Sequence, residues 1–318
     1  MEPFVYSTAR SKIADPSAKF LAGGTTLVDL MKLNVEKPER VIDIKQSSEG
    51  LDKIEAGANG LRLGALVTMA EASEDGGVKA RYPVIAQSLM LAASQQIRNM
   101  ASLGGNMLQR TRCTYFRDVS YGECNKRIPG SGCAALNGVN RQHAVLGTSE
   151  ACISAYPGDF AQALIALDAE IETDKRKFAF AGLHRPVDEP HIETILEPGE
   201  MIRFIRIPAG DFRRSLYLKI RDRESYQFAL TSAAVVLGAD GKDAGDVRIA
   251  LGGVAYKPWR AKAAEAELKG KPLDETSARR AADAAFAGAK GYEFNAFKIE
   301  TGKQTLIRAL LQAKALEI

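Results

Sequence analysis

The chain has 318 residues, 46% of them apolar and 26% charged, and 43 Lys and Arg against 39 Asp and Glu leave a net charge of +4. That length suits about two domains, and the ordinary apolar fraction excludes disordered and fibrous classes. So small a positive excess argues against nucleic-acid binding, no uncharged apolar run reaches the ~18 residues of a membrane span, and the opening MEPFVYSTAR lacks the apolar stretch of a secretory signal.

Residues 1–55 read as a small α/β unit. The apolar segment Lys19-Phe20-Leu21-Ala22 runs into Gly23-Gly24-Thr25-Thr26, a helix starts at Leu27, and a second strand covers 40–44. Thr26 with Asp29 three residues later predicts a capping box. From about residue 51 the pattern changes: a strand at 61–67 leads into a helix near Thr68, and the apolar spacing at Val84, Ile85, Leu89, Met90 and Ile97 predicts a helix over 82–97. Ala101-Ser102-Leu103-Gly104-Gly105-Asn106 is a second glycine-pair turn. Residues 110–150 have no period and read as one long loop, the kind that is usually functional.

Regular structure is expected to resume with a helix near 159–167 and strands at 169–172 and 202–207. Beyond a boundary at about 212 come strands at 215–220, 229–237 and 247–254. Alanine-rich helices near 260–268 and 276–290 follow, and Leu306, Ile307, Leu310 and Leu311 have the spacing of a last amphipathic helix.

Several chemistries have no signature here. There is no Walker A, HExxH or GxSxG motif, and Gly130-Ser-Gly-Cys-Ala-Ala135 matches the dinucleotide fingerprint only inside the long loop, with no strand before it. His143, His184 and His191 stand apart and read as structural or solvent-facing. Arg221–Glu224 reads as a solvated turn with Lys219 able to face a pocket; Tyr226 and Phe228 read as core, and Trp259 as a packing or interface residue. The two Gly-Gly turns could be ordinary turns, but each offers bare backbone N–H groups beside Thr or Ser hydroxyls, a concavity that binds pyrophosphate oxygens.

All four cysteines fall between Cys113 and Cys152, at spacings of 11, 9 and 19 residues. These spacings lack the CxxC knuckles of structural zinc sites. Four thiolates from one loop suit a [4Fe–4S] cluster, each iron capped by one sulfur, although four unrelated buried thiols would give the same spacing.

The order of these pieces resembles the FAD-binding medium subunits of the molybdenum hydroxylases, of the xanthine dehydrogenase, aldehyde oxidoreductase and carbon monoxide dehydrogenase types. The resemblance is carried by Phe20–Lys32, Leu63–Thr68, Ala101–Asn106, Tyr156–Asp159, Leu196–Ile202 and Leu251–Val254, and so spans nearly the whole chain. It implies an α+β fold: a two-lobed FAD-binding domain of the VAO/PCMH (vanillyl-alcohol oxidase) type over 1–212, with lobes of about 1–55 and 56–212. A C-terminal sheet-and-helix domain of the CO dehydrogenase flavoprotein type would occupy 213–318.

In that family an aspartate helix follows the second glycine turn within about ten residues, whereas here Asn106 and Asp159 are 53 residues apart. The Cys-rich insertion, 110–152, is similar to that of the subset with an extra [4Fe–4S] cluster, and looks closest to a bacterial aldehyde oxidoreductase flavin subunit. The implied cluster ligands are Cys113, Cys124, Cys133 and Cys152. The implied FAD contacts are Leu21, Ala22, Gly23, Gly24, Thr25, Thr26 and Leu27, with Lys19 at the edge, then Thr68, Ser102, Gly105 and Asn106. Asp159 would lie near the ribose or adenine end, and Ile202 and Lys219 near the isoalloxazine.

No residue is assigned as a catalytic acid or base. The resemblance implies an electron-transfer subunit with a large molybdenum-cofactor partner and a small [2Fe–2S] partner, passing electrons through FAD to an external acceptor. A stand-alone FAD oxidoreductase and a zinc-binding partner module are the alternatives. The chain is expected in the cytoplasm, or in the periplasm if a partner's signal exports it folded.

Overall fold

A computed structural model describes residues 1–8, 17–46, 49–238 and 246–317. The first lobe is a three-stranded parallel sheet in which β1 (Val5–Thr8) and β2 (Ala18–Leu21) flank β3 (Arg40–Asp43), with Phe20 and Ser7 both opposite Ile42. Parallel strands need a crossover, and α1 (Leu27–Lys32) supplies it between β2 and β3. Gly23-Gly24 therefore lies just past the carboxyl end of a strand, where open α/β sheets bind ligands. The capping box expected at Thr26 is not formed. Thr26 stands at the N-cap in the αR region, not the extended backbone a capping side chain needs, and makes no side-chain cap bond. The reciprocal half is also lost, since the Asp29 carboxylate is taken by Arg117 (2.8 and 3.0 Å) and Arg112 (3.1 Å) from the long loop.

The second lobe opens with the hairpin β4 (Ile54–Gly57) and β5 (Gly60–Gly64). Five short helices follow: α2 (Met69–Glu74), α3 (Gly76–Arg81), α4 (Pro83–Met90), α5 (Gln95–Arg98) and α6 (Leu103–Met107). The single helix expected over 82–97 is in fact two. Ala93 adopts a φ of +52°, and the Ser94 hydroxyl caps α5 by accepting from the Ile97 N–H. A local cap outweighed the apolar period.

The long loop contains only the four-residue α7 (Thr114–Arg117) before α8 (Phe160–Ala166). Strands β6 (Glu170–Thr173), β7 (Lys177–Ala179) and β8 (Ile202–Ile207) complete an antiparallel sheet in the order β4-β5-β8-β6-β7.

The third sheet, β12-β11-β10-β9, is antiparallel, from β9 (Ser215–Ile220), β10 (Thr231–Val236), β11 (Arg248–Gly252) and β12 (Trp259–Arg260). Helices α9 (Lys262–Leu268), α10 (Glu275–Phe286) and α11 (Phe297–Lys314) complete this part of the chain. Ala278, Ala281, Ala282 and Ala285 on α10 meet Leu306, Ile307 and Leu310 on α11 in one core with the β10 and β11 side chains. Each fully buried leucine there contributes about 1.5–3 kcal/mol. Val145 and Leu146 of the long loop join that core, so the cysteine loop is anchored to the C-terminal sheet: the Val145 N–H donates to the Val254 carbonyl at 2.8 Å.

Candidate functional site

The two glycine turns meet. A Cβ on Gly23 would lie 1.7 Å from the Met100 carbonyl oxygen and 3.2 Å from the Ala101 nitrogen, so only glycine allows this approach. Gly24 takes a φ of +74°, the left-handed region in which glycine is unstrained.

The segment after β5 runs alongside the second turn. Met69 N–H donates to Ala101 O (2.9 Å), Leu103 N–H to Val67 O (2.8 Å) and Gly104 N–H to Ala65 O (2.9 Å). Thr68 thus sits opposite Ser102. Thr68 caps α2 in a closed box with Glu71, and Ser102 caps α6 by accepting from Gly105 N–H at 3.3 Å. Three separate stretches, around Gly23, Thr68 and Ser102, are brought to one place. Leu21, Ala22, Thr25, Thr26 and Leu27 are half-buried beside it, and Lys19 is exposed on β2.

Two features of this cradle fit a flavin nucleotide. Gly105 is exposed within the second turn and, having no side chain, lets a phosphate come close to the capped turn. The Asn106 amide donates to Met69 Sδ at 3.3 Å, while its buried Oδ1 has no protein partner. Buried acceptors are nearly always satisfied, and a ribityl hydroxyl or a ring N–H is a fitting donor.

The remaining implied contacts are placed differently. Asp159, at the N-cap of α8, accepts from Lys219 Nζ at 2.7 Å and from Tyr217 Oη at 2.6 Å. Lys219 Nζ also donates to the Leu91 carbonyl at 3.0 Å, and both side chains of the ion pair are under 4% exposed. Burial pushes the Asp159 carboxyl up, against the pull of Lys219 and Tyr217. Asp159 and Lys219 therefore cannot serve opposite ends of an extended dinucleotide; they act as one buried unit. Ile202 is buried in the core of the second lobe at the start of β8. Tyr226 and Phe228, read as core, are 55% and 38% exposed, with the Arg112 guanidinium over the Phe228 ring.

Cys113, Cys124, Cys133 and Cys152 are free thiols lining one pocket. The sequence folds this way through local pairing. Cys124 and Cys133 face each other across an antiparallel bridge closed by Asn125 N–H to Gly132 O (2.8 Å) and Ala134 N–H to Glu123 O (3.0 Å). Gly130 and Gly132, at φ +83° and +98°, make the turn between them. Asn125 then donates to the Ala151 carbonyl at 2.9 Å, bringing Cys152 to the same wall.

Burial pushes the Cys113 thiol up to about 12. The hydrogen bond between Cys133 and Cys152 lowers Cys133 to about 7 and raises Cys152. Among the described residues, no group of three or more His, Cys, Asp or Glu is placed to hold a single metal ion. Four cysteines on one pocket match in number the donor set of a cubane, whose four irons each take one sulfur.

The sequence reading missed the charged and polar groups around this cavity. His143 Nε2 lies 3.1 Å from Cys113 Sγ; burial, with the Lys298 charge, lowers its pKa to about 4, so the imidazole is neutral at pH 7. Lys298 of α11 donates to the carbonyls of Gln142 (3.2 Å), His143 (2.8 Å) and Gly253 (2.6 Å), tying the loop to the C-terminal sheet. A chain of ion pairs runs from Glu36 to Arg110 (2.6 Å), from Arg110 to Glu193 (2.7 Å) and from Glu193 to Lys126 (3.3 Å), joining the first lobe to the loop. These partners lie 74, 83 and 67 positions apart, too far for any local motif to signal.

Residues 5–210 match the family described as FAD binding domain in molybdopterin dehydrogenase, and residues 216–311 match the CO dehydrogenase flavoprotein C-terminal domain. The aldehyde oxidoreductase FAD-binding subunit PaoB of Escherichia coli (strain K12) is 47% identical over 307 residues, covering 94% of this chain and 92% of that protein. The carbon monoxide dehydrogenase medium chain of Hydrogenophaga pseudoflava is 29% identical over 271 residues, 85% of this chain and 78% of that one. A solved structure of carbon monoxide dehydrogenase from the same organism superposes with a TM-score of 0.75 at 26% identity, over 99% of this chain and 98% of the other. With a glycine cradle that fits a dinucleotide and both family domains in order, the chain belongs to the FAD-binding subunits of the molybdenum hydroxylase family of oxidoreductases.

Proposed function

We propose that this chain is the FAD- and [4Fe–4S]-carrying electron-transfer subunit of a heterotrimeric, molybdenum-dependent aldehyde oxidoreductase. The observation that carries the reading is the set of four free thiols lining one cavity in a loop that is pinned by Asp29, Arg112 and Arg117 to the helix following the first glycine turn. The aldehyde substrate class follows the likeness to the Escherichia coli protein. Substrate would be oxidised on a large partner chain, and a small [2Fe–2S] partner would deliver electrons to this one.

When bound, the flavin supplies the step between one-electron carriers and an external acceptor. This chain's own residues hold and orient it. Gly23, Gly24, Thr25, Thr26 and Ser102 would present backbone and hydroxyl donors to the pyrophosphate, Gly105 would leave room for its approach, and Asn106 Oδ1 would accept from the sugar chain or ring. Cys113, Cys124, Cys133 and Cys152 would ligate the cluster, and the first and second lobes would exclude water between the two turns.

Affinity purification of the native protein under anaerobic conditions tests this. Co-purification with two unrelated chains, one carrying molybdenum, is expected. A lone chain that turns over a substrate by itself, or that carries stoichiometric zinc and no iron, would overturn the proposal.

A further inference from the structure

Lys126 stands two residues beyond Cys124 and lines the cysteine cavity, with a side chain only 4% exposed. Its Nζ donates to Tyr256 Oη at 3.0 Å and to the Pro190 carbonyl at 3.3 Å, and lies 3.3 Å from the Glu193 carboxylate. Tyr256 in turn packs against Cys152. A buried ammonium is costly unless neighbouring charge repays it. Glu193 shares that carboxylate oxygen with Arg110 at 2.7 Å, and Arg110 is itself paired with Glu36 at 2.6 Å, so the four charges balance along a chain whose positive end, Lys126, faces the thiols. Lys126 is thus a fixed positive charge beside the thiols, held by a phenol, a carbonyl and a shared carboxylate.

We propose that Lys126 is a positioning residue whose charge raises the reduction potential of the [4Fe–4S] cluster, setting the driving force from the cluster to the flavin. The inference rests on the cluster reading above. The step is a single electron transfer: the reduced [2Fe–2S] partner loses one electron, this cluster gains it, and no bond forms or breaks. The reduced cluster carries one more negative charge than the oxidised one, so its attraction to Lys126 is the stronger. At the screening found inside proteins, one unit charge within about 12 Å of the added electron already amounts to a tenfold step in the equilibrium constant, and Lys126 lines the same pocket as the four thiols.

The test is a redox titration of the assembled complex, followed by the electron paramagnetic resonance signal of the cluster, with iron analysis in parallel. Lys126→Met is expected to keep its iron and lower the midpoint by a tenfold step or more, about 59 mV for one electron. Lys126→Arg should stay near the wild type, and Glu193→Gln should raise the midpoint. Unchanged midpoints in both Lys126→Met and Glu193→Gln, with the cluster present, overturn the inference and leave the cluster reading standing. If Lys126→Met loses its iron, Glu193→Gln decides alone: a raised midpoint supports the inference, and an unchanged or lowered one overturns it. A wild-type complex without the signal and its irons overturns the cluster reading and this inference together.

Discussion

Gly23→Ala perturbs the point where the two glycine turns meet. The added methyl would stand 1.7 Å from the Met100 carbonyl oxygen and 2.6 Å from its carbon, both backbone atoms that cannot rotate away. Carbon–oxygen contacts settle at about 3.3 Å or more, so one turn must retreat by roughly 1.5 Å. That displacement takes backbone donors out of reach of charged phosphate oxygens. Hydrogen bonds to charged groups contribute about 1.5–3 kcal/mol each, and the loss of two would weaken flavin binding by about 3–6 kcal/mol. At about 1.4 kcal/mol per tenfold, affinity falls by roughly two to four orders of magnitude.

The assay is the ratio of FAD to protein after desalting, followed by titration of flavin back into the stripped protein. Gly122→Ala is the control, since a Cβ there meets no atom within 4 Å. A folded Gly23→Ala protein that retains one FAD per chain at unchanged affinity would refute the reasoning.

Lys219→Met should be strongly destabilising, because it leaves the Asp159 carboxylate buried without its cation; breaking such a pair costs about 3–5 kcal/mol. The melting temperature reads this out, and the Asp159→Asn, Lys219→Met double variant should recover part of the loss. Full stability of the single variant would show that the pair is not closed as described. Glu193 gives a pH dependence. Burial pushes its carboxyl up, but Lys126 and Arg110 outweigh that and hold it below its ordinary 4.5. A depressed carboxylate contributes stability above its unfolded value and loses it as the pH falls through the folded value. The stability difference between wild type and Glu193→Gln should therefore be steady at neutral pH and shrink below pH 4.5. A difference that grows on acidification would contradict the assignment.

How much of this was legible in the sequence depended on the range over which each feature is encoded. The glycine pairs at 23–24 and 104–105 announce themselves within a few residues, because a turn and its bare amides are local. They were enough to mark the family. The bunching of the cysteines was equally plain, although nothing in their spacing shows that Cys152 shares a wall with Cys113. The ion pair of Asp159 with Lys219 joins residues 60 apart, and His143 reaches Cys113 across 30. Such pairs are made by topology, and each residue alone reads as an ordinary surface or core position. Local rules also competed: at Thr26 a capping pattern was present, but Thr26 takes αR backbone and Asp29 pairs with Arg117 and Arg112 instead. At Ala93 and Ser94 a cap broke a helix that the apolar period alone would continue.

The most direct measurement is the iron content of the purified complex, compared between the wild type and a Cys113→Ser, Cys152→Ser variant with flavin counted in both. The cysteine cavity as a cluster site predicts about four irons fewer per copy of this chain in the variant, with FAD retained. Equal iron in the two complexes, with FAD present in each, would contradict it.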